Sequence, residues 1–180
     1  MEGVIKIDKA MSNEENLVKI AIKGDKEAFK KLIEIYSSYI YKTAYLYVKN
    51  EHDACDIYQE TVYKAFINIS KLKKTKNFKT WIIRILINNV TDKYRKDTKR
   101  QINLESNNIK NFNEEELIKN IDLYEAIDKL SLNYKTAIIL KYIHDMKIKE
   151  VARIMEINEN TAKSYIYRGL KILNSELREV

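Results

Sequence analysis

A chain of 180 residues with no proline and three glycines (Gly3, Gly24, Gly169) is one ordinary domain or two small ones, and it lacks the turn formers that a many-stranded sandwich or barrel needs. Its 45% hydrophobic and 33% charged residues fit a folded protein rather than a disordered one, and the single cysteine, Cys55, excludes an internal disulfide and a multi-cysteine metal framework. The formal charge of +7 is unevenly spread: Lys71 to Arg100 holds eleven basic residues against Asp92 and Asp97, so the remainder of the chain is slightly acidic.

A concentrated basic stretch beside aromatic residues is the electrostatic footprint of a nucleic-acid binder; a solvated lysine-rich face is the competing account. No apolar run approaches the ~20 residues of a membrane span. The opening residues, MEGVIKIDKAMSNEEN, have no apolar core and no cleavage pattern. A cytoplasmic location without membrane insertion is therefore expected.

Residues 1–11 look like a flexible N-terminus. Ser12 with Glu15 has the spacing of a capping box, opening a short helix that ends near Gly24. Asp25 suits the N-cap of the next helix, in which Phe29, Leu32, Ile33, Tyr36 and Ile40 recur at helical spacing. After a polar break at Lys49–His52 comes the cleanest amphipathic pattern of the chain, with Ala54, Ile57, Tyr58, Thr61, Val62, Ala65, Phe66 and Ile69 on one stripe. Lys71–Asn77 reads as a loop. Phe78, Trp81, Ile82, Ile85, Leu86 and Val90 mark a fourth helix that runs into basic Lys93–Arg100, with Trp81 in register for the core rather than for base stacking.

Composition then shifts. The stretch 101–119 is rich in Asn and Glu, without sustained period, and reads as a flexible linker. Helical pattern resumes with Ile121, Tyr124, Ile127 and Leu130. A second helix starts near Asn133 and carries Ala137, Ile138 and Tyr142. The fold expected is all-α: two small helical domains, 12–100 and 120–180, joined by the linker.

Near the C-terminus, Ile148, Val151, Ala152 and Met155 supply one inner face and Ala162, Ile166, Leu170 and Leu173 another. The break at Asn158–Asn160, with Asn160 as a suitable N-cap, makes this a helix-turn-helix pattern; a plain helical hairpin shares it. Asn160, Thr161, Lys163, Ser164, Tyr167, Arg168 and Lys171 fall on or near the outer face of the second helix, and these types suit phosphate oxygens and major-groove edges.

Two stretches resemble parts of bacterial RNA polymerase sigma factors. DACDIYQETVYKAF (Asp53–Phe66) resembles the core-binding helix of region two, and FKTWIIRILINNVTDKYRKDTKR (Phe78–Arg100) the promoter-melting and minus-ten segment that follows it. The C-terminal helix-turn-helix resembles region four, which reads the minus-thirty-five element. Their order and short tether are similar to the extracytoplasmic-function (ECF) group. The chain departs from the family pattern at Ile87, Asn160, Tyr165, Gly169 and Leu170.

The resemblance implies a role for each region. Asp53, Asp56, Gln59 and Glu60 would dock on core RNA polymerase; otherwise they are a solvated acidic face favoured by the helix dipole, with Asp53 as N-cap. Lys73, Lys74, Lys76 and Asn77 in the loop, and Asn88, Asn89, Asp92, Lys93, Arg95 and Lys96 on the fourth helix, would hold and read the opened minus-ten strand, which needs charge for the backbone and polar groups for unstacked bases. The seven outer-face residues from Asn160 to Lys171 would contact the minus-thirty-five DNA. Core RNA polymerase, promoter DNA and an anti-sigma factor are the implied partners. Glu114–Glu116 in the linker would thread towards the polymerase active site, or simply precede the next helix.

No cofactor is expected, and no metal, since His52 and Cys55 are too few ligands for zinc. No nucleophile–base pair or phosphate-cradling loop points to an enzyme. A free-standing helix-turn-helix regulator with a helical sensor or dimerisation domain is the alternative, and a protein that merely sequesters polymerase a third.

Overall fold

The computed structural model describes residues 13–101 and 121–177, and every regular element among them is helical. The chain divides into two compact units, Met1–Thr98 and Lys99–Val180. The Ser12 cap, the linker and Glu114–Glu116 lie outside the described residues. No helix among the described residues is long and apolar enough to cross a membrane.

The first unit contains α1 (residues 13–22), α2 (Lys26–Val48), α3 (Glu51–Asn68) and α4 (Phe78–Gln101). Gly24 follows α1 at φ 99°, a left-handed turn that glycine adopts without steric cost. Asp25 caps α2 as expected, its carboxylate accepting the Ala28 N–H at 2.7 Å. At the other end of α2, Lys49 takes a left-handed conformation and Asn50 caps α3 by accepting the Asp53 N–H at 2.8 Å. Asp53 is therefore not the N-cap; it stands one turn in, where its charge opposes the positive end of the helix dipole.

The apolar stripes meet in one core. Leu32, Ile40, Ile82, Ile83 and Leu86 are fully buried, each contributing about 1.5–3 kcal/mol relative to exposure. Phe29 meets Phe66 edge to face at 5.3 Å, and Tyr36 packs on Phe78 at 5.3 Å. The Tyr36 hydroxyl donates to Glu14, tying α1 to α2; burial, then that carboxylate, pushes the phenol pKa far up. Trp81 leans on Phe78 at 5.9 Å and is half-buried, on the margin of the core. The expected loop Lys71–Asn77 begins at the end of one single-turn 3₁₀ helix, Ile69–Lys71, and ends in another, Thr75–Asn77.

The second unit contains α5 (Ile121–Asp128), α6 (Leu132–Ile138), α7 (Ile148–Met155) and α8 (Glu159–Glu176). After α6 the chain widens into a π-helical turn, Ile139–Ile143. That turn changes the register and leaves Tyr142 on the surface, whereas the 3.6-residue pattern had assigned it inward. Ala126, Ile127, Leu130, Ile138 and Leu173 form a core cluster of α5, α6 and α8. Lys135 is buried but charge-paired, its Nζ donating to Asp128 at 2.7 Å.

In the C-terminal helix pair, Ile154 is buried beside Val151 and Ala152, while Ile148 and Met155 are half-buried. The turn is three residues long, with Glu156 left-handed, and Ile157 donates its N–H back to the Ala152 carbonyl at 3.0 Å. The N-cap of α8 is Asn158, whose side chain accepts the Thr161 N–H at 2.8 Å. Asn160 lies inside the first turn instead of capping it. On the inner face of α8 Gly169 is buried, and Leu170, expected there, is half-buried against the core cluster. A Cβ at position 169 would stand 2.9 Å from Ile138 Cγ1, so glycine is what allows α8 to approach α6 this closely. Tyr134 and Tyr165 meet edge to face at 5.5 Å beside this contact.

Candidate polymerase and nucleic-acid interfaces

The stripe that buries Ala54, Ile57, Thr61 and Ala65 turns the opposite side of α3 to solvent. Asp56, Gln59 and Glu60 are exposed there, along with Cys55. One and two turns on, Tyr63 and Ile67 are also exposed, at 60% and 52%. The acidic face thus runs into an apolar one, a combination that suits a protein interface with an apolar centre and charged rim. Sequence reasoning did not single out Tyr63 or Ile67, although both continue the helical phase of Asp56 and Glu60.

Asp53 stands apart from that exposed group. Its carboxylate receives Lys93 Nζ at 2.7 Å and Asn50 Nδ2 at 2.8 Å. Partial burial pulls the carboxyl pKa upward, but the hydrogen bonds from Lys93 and Asn50 and the Lys93 charge outweigh it, so the net shift is downward. His52 Nδ1 lies 3.8 Å from Asp53 and 3.5 Å from Asp56. These three groups could converge on a cation, but Asp53 is already held by Lys93 and Asn50.

The candidate minus-ten residues divide. Lys73, Lys74 and Lys76 are exposed on the segment between α3 and α4, with Asn77 half-buried. On α4, Asn88, Asp92, Arg95 and Lys96 are exposed, and Arg95 Nη1 lies 4.0 Å from Asp92. Asn89 turns the other way. It is 5% exposed, its amide donates to Thr61 Oγ1 at 3.0 Å, and its carbonyl accepts Lys64 Nζ at 2.6 Å. So placed, Asn89 is turned against α3 and is not presented on the exposed face of α4 that carries Asn88. Lys93, half-buried and paired with Asp53, also faces α3 rather than open solvent.

In the second unit, Asn160, Lys163, Ser164, Tyr167, Arg168 and Lys171 are exposed along α8, and Tyr167 is 71% exposed. Thr161 is half-buried, and both its N–H and its hydroxyl donate to Asn158 Oδ1. It belongs to the cap. A capped, solvent-facing helix following a three-residue turn is the arrangement that major-groove readers present.

Comparison with known proteins gives this geometry a family. Residues 32–100 match the model of sigma-70 region 2, and residues 121–173 that of sigma-70 region 4. The chain belongs to the ECF RNA polymerase sigma factors. It is 31% identical over 180 residues to the ECF sigma factor SigW of Bacillus subtilis (strain 168), covering 91% of this chain and 96% of that one. It is 38% identical over 138 residues to the sigma factor SigV of the same organism, covering 76% of this chain and 83% of that one. Among solved structures, the sigma factor RpoE in its complex with the anti-sigma factor NepR from Bartonella quintana shares the fold, with TM-score 0.70 and 24% identity over 83% of this chain and 96% of that one.

As a sigma factor, the protein binds core RNA polymerase and promoter DNA and directs transcription initiation. The all-α, two-domain expectation and the recognition of the ECF group both hold.

Proposed function

We propose a residue-level division of this sigma factor's work. The face of α3 formed by Asp56, Gln59 and Glu60, with Tyr63 and Ile67 beside it and Asp53 at its edge, docks on the core polymerase. The lysines of 73–76, with Asn77, and the face of α4 carrying Asn88, Asp92, Arg95 and Lys96 hold and read the opened minus-ten strand. The exposed side of α8, from Asn160 to Lys171, enters the minus-thirty-five major groove. Residues 12–100 and 120–180 act as the two functional domains, with 101–119 as the tether between them.

The polymerase carries the chemistry, and this chain contributes recognition and strand separation without a reaction of its own. The protein works in the cytoplasm, where an anti-sigma factor holds it inactive until a signal arrives. Support for the last point comes from the fold shared with RpoE, a sigma factor that NepR engages.

The observation that carries the division is the placement of an acidic, partly apolar face on α3 and a polar, basic face on α4, two helices locked together in one unit. Run-off transcription tests it. Core polymerase mixed with this protein and supercoiled genomic fragments is expected to give discrete start sites absent from core alone. Asp56→Arg with Glu60→Arg should abolish them and weaken core binding by at least tenfold, the lower range for opposing a charge-complementary interface. Transcripts that survive this charge reversal overturn the assignment of the docking face.

A further inference from the structure

Lys64 belongs to none of the candidate sites, yet it stands between two of them. Its ammonium lies 3.2 Å from Glu60 on the exposed side of α3 and donates to Asn89 on α4 at 2.6 Å. Beyond Asn89 the hydrogen bonds continue in one direction. The Asn89 amide donates to the Thr61 hydroxyl, and Thr61 donates to the Ile57 carbonyl at 2.7 Å. Because the Thr61 proton is committed to that carbonyl, the hydroxyl is left to accept, and the amide end of Asn89 must face it. The carbonyl end must then face Lys64, which has only protons to give. Lys64, Thr61 and Ile57 therefore hold one orientation of Asn89, at a buried position where a mismatched polar group is costly.

That orientation fixes the roll of α4. At about 100° per residue, Asn88, Asp92 and Arg95 fall within roughly 60° of one another, about a quarter turn from Asn89. Lys93, one turn after Asn89, lies within about 40° of it on the helical wheel. It makes the second contact with α3, through Asp53 at 2.7 Å. Two clasps one turn apart resist rotation about the helix axis, which a single contact would permit.

We propose that Lys64 is a positioning residue for minus-ten recognition: with Asn89 and the Lys93–Asp53 pair it sets the rotation of α4, and so the direction in which Asn88, Asp92 and Arg95 meet the opened strand. This rests on the reading of those three residues as the minus-ten face. The Asn89 and Lys93 side chains serve the same task and do not read bases.

The test uses full-length protein reconstituted with core polymerase on a promoter recovered by run-off transcription, and on its single-base variants. Lys64→Met keeps the aliphatic stem and removes the charge; Lys64→Arg keeps the charge. Lys64→Met is expected to change discrimination between minus-ten bases by about fivefold or more, the lower range of coupling between sites. Minus-thirty-five discrimination should stay unchanged. Core affinity should stay within about twofold, as for a neutral surface substitution. Lys64→Arg should restore the wild-type profile, and Lys64→Met should add nothing in an Asn89→Ala background.

Uniformly reduced transcription with an unchanged minus-ten profile overturns the proposal, because lost stability or a direct polymerase contact would act that way. Asn88→Ala separates the two readings. If it alters minus-ten discrimination and Lys64→Met does not, the minus-ten face stands and the positioning role falls; if neither alters it, both fall. Should Lys64→Met fail to fold, Lys64→Gln, uncharged but still a donor, is judged by the same profile.

Discussion

The two units hold α4 and α8 by different means. In the first, α4 is fixed to α3 by polar groups: Asn89 between Thr61 and Lys64, and Lys93 on Asp53. In the second, α8 is fixed to α6 by shape, with Gly169 drawn against Ile138 and the Tyr134–Tyr165 ring contact beside it. Polar clasps are directional and set rotation, whereas close apolar packing sets distance and crossing. The first unit consequently turns Asn89 fully and Lys93 partly inward, side chains that a sequence reader counts as surface, while the polar residues of α8 from Lys163 to Lys171 stay on the outside.

That contrast can be broken from either side. Gly169→Val should act most strongly, because it forces a branched side chain into a 2.9 Å approach. A loss of about 1–3 kcal/mol is expected from overpacking, read by thermal or denaturant unfolding and confined to the second unit. Gly169→Ala should come closer to neutral, since the gain of about 1 kcal/mol in helix propensity offsets part of the clash. A silent Gly169→Val variant would show that the close approach is dispensable.

Asn89→Ala should cost the first unit about 1–3 kcal/mol, because it removes the bond that Thr61 accepts and the partner of Lys64. A loss no larger than that of an exposed Asn88→Ala change would mean that the clasp contributes no stability.

The smallest effect is in pH. The Asp53 carboxyl pKa is lowered on folding, so its contribution is present above the ordinary carboxylate range and declines as acidification passes below about pH 4 towards the folded value. Asp53→Asn should flatten that part of the stability profile of the first unit. Its partial exposure keeps the effect modest.

Much of the architecture was legible because apolar period survives any detail of side-chain pairing. Phe29, Leu32, Ile33, Tyr36 and Ile40 were placed inward by spacing alone and are buried. What spacing could not separate were neighbours of one chemical type. Asn158 and Asn160 both suit an N-cap, and the choice fell to Asn158 because Glu156 takes the left-handed turn. Asn88 and Asn89 are identical side chains about 100° apart on the helix. The signal that tells them apart was present: Asn89 stands seven residues after Ile82 and three after Leu86, on the buried stripe, where an amide needs partners. Tyr142 was misplaced because a π-helical turn carries no mark in an apolar pattern. Gly169 stands in the sequence only as a departure from the family pattern, because its packing partner Ile138 lies more than thirty residues away along the chain.

The sealed carboxamide of Asn89 has one more consequence, on the axis of time. Asn89 is 5% exposed and its amide donates inward to Thr61, so the amide protons exchange with solvent only when α3 and α4 part. Side-chain amide protons ordinarily exchange quickly from a free surface. This one pair would instead record, by its slow replacement with deuterium, how often α3 and α4 come undone.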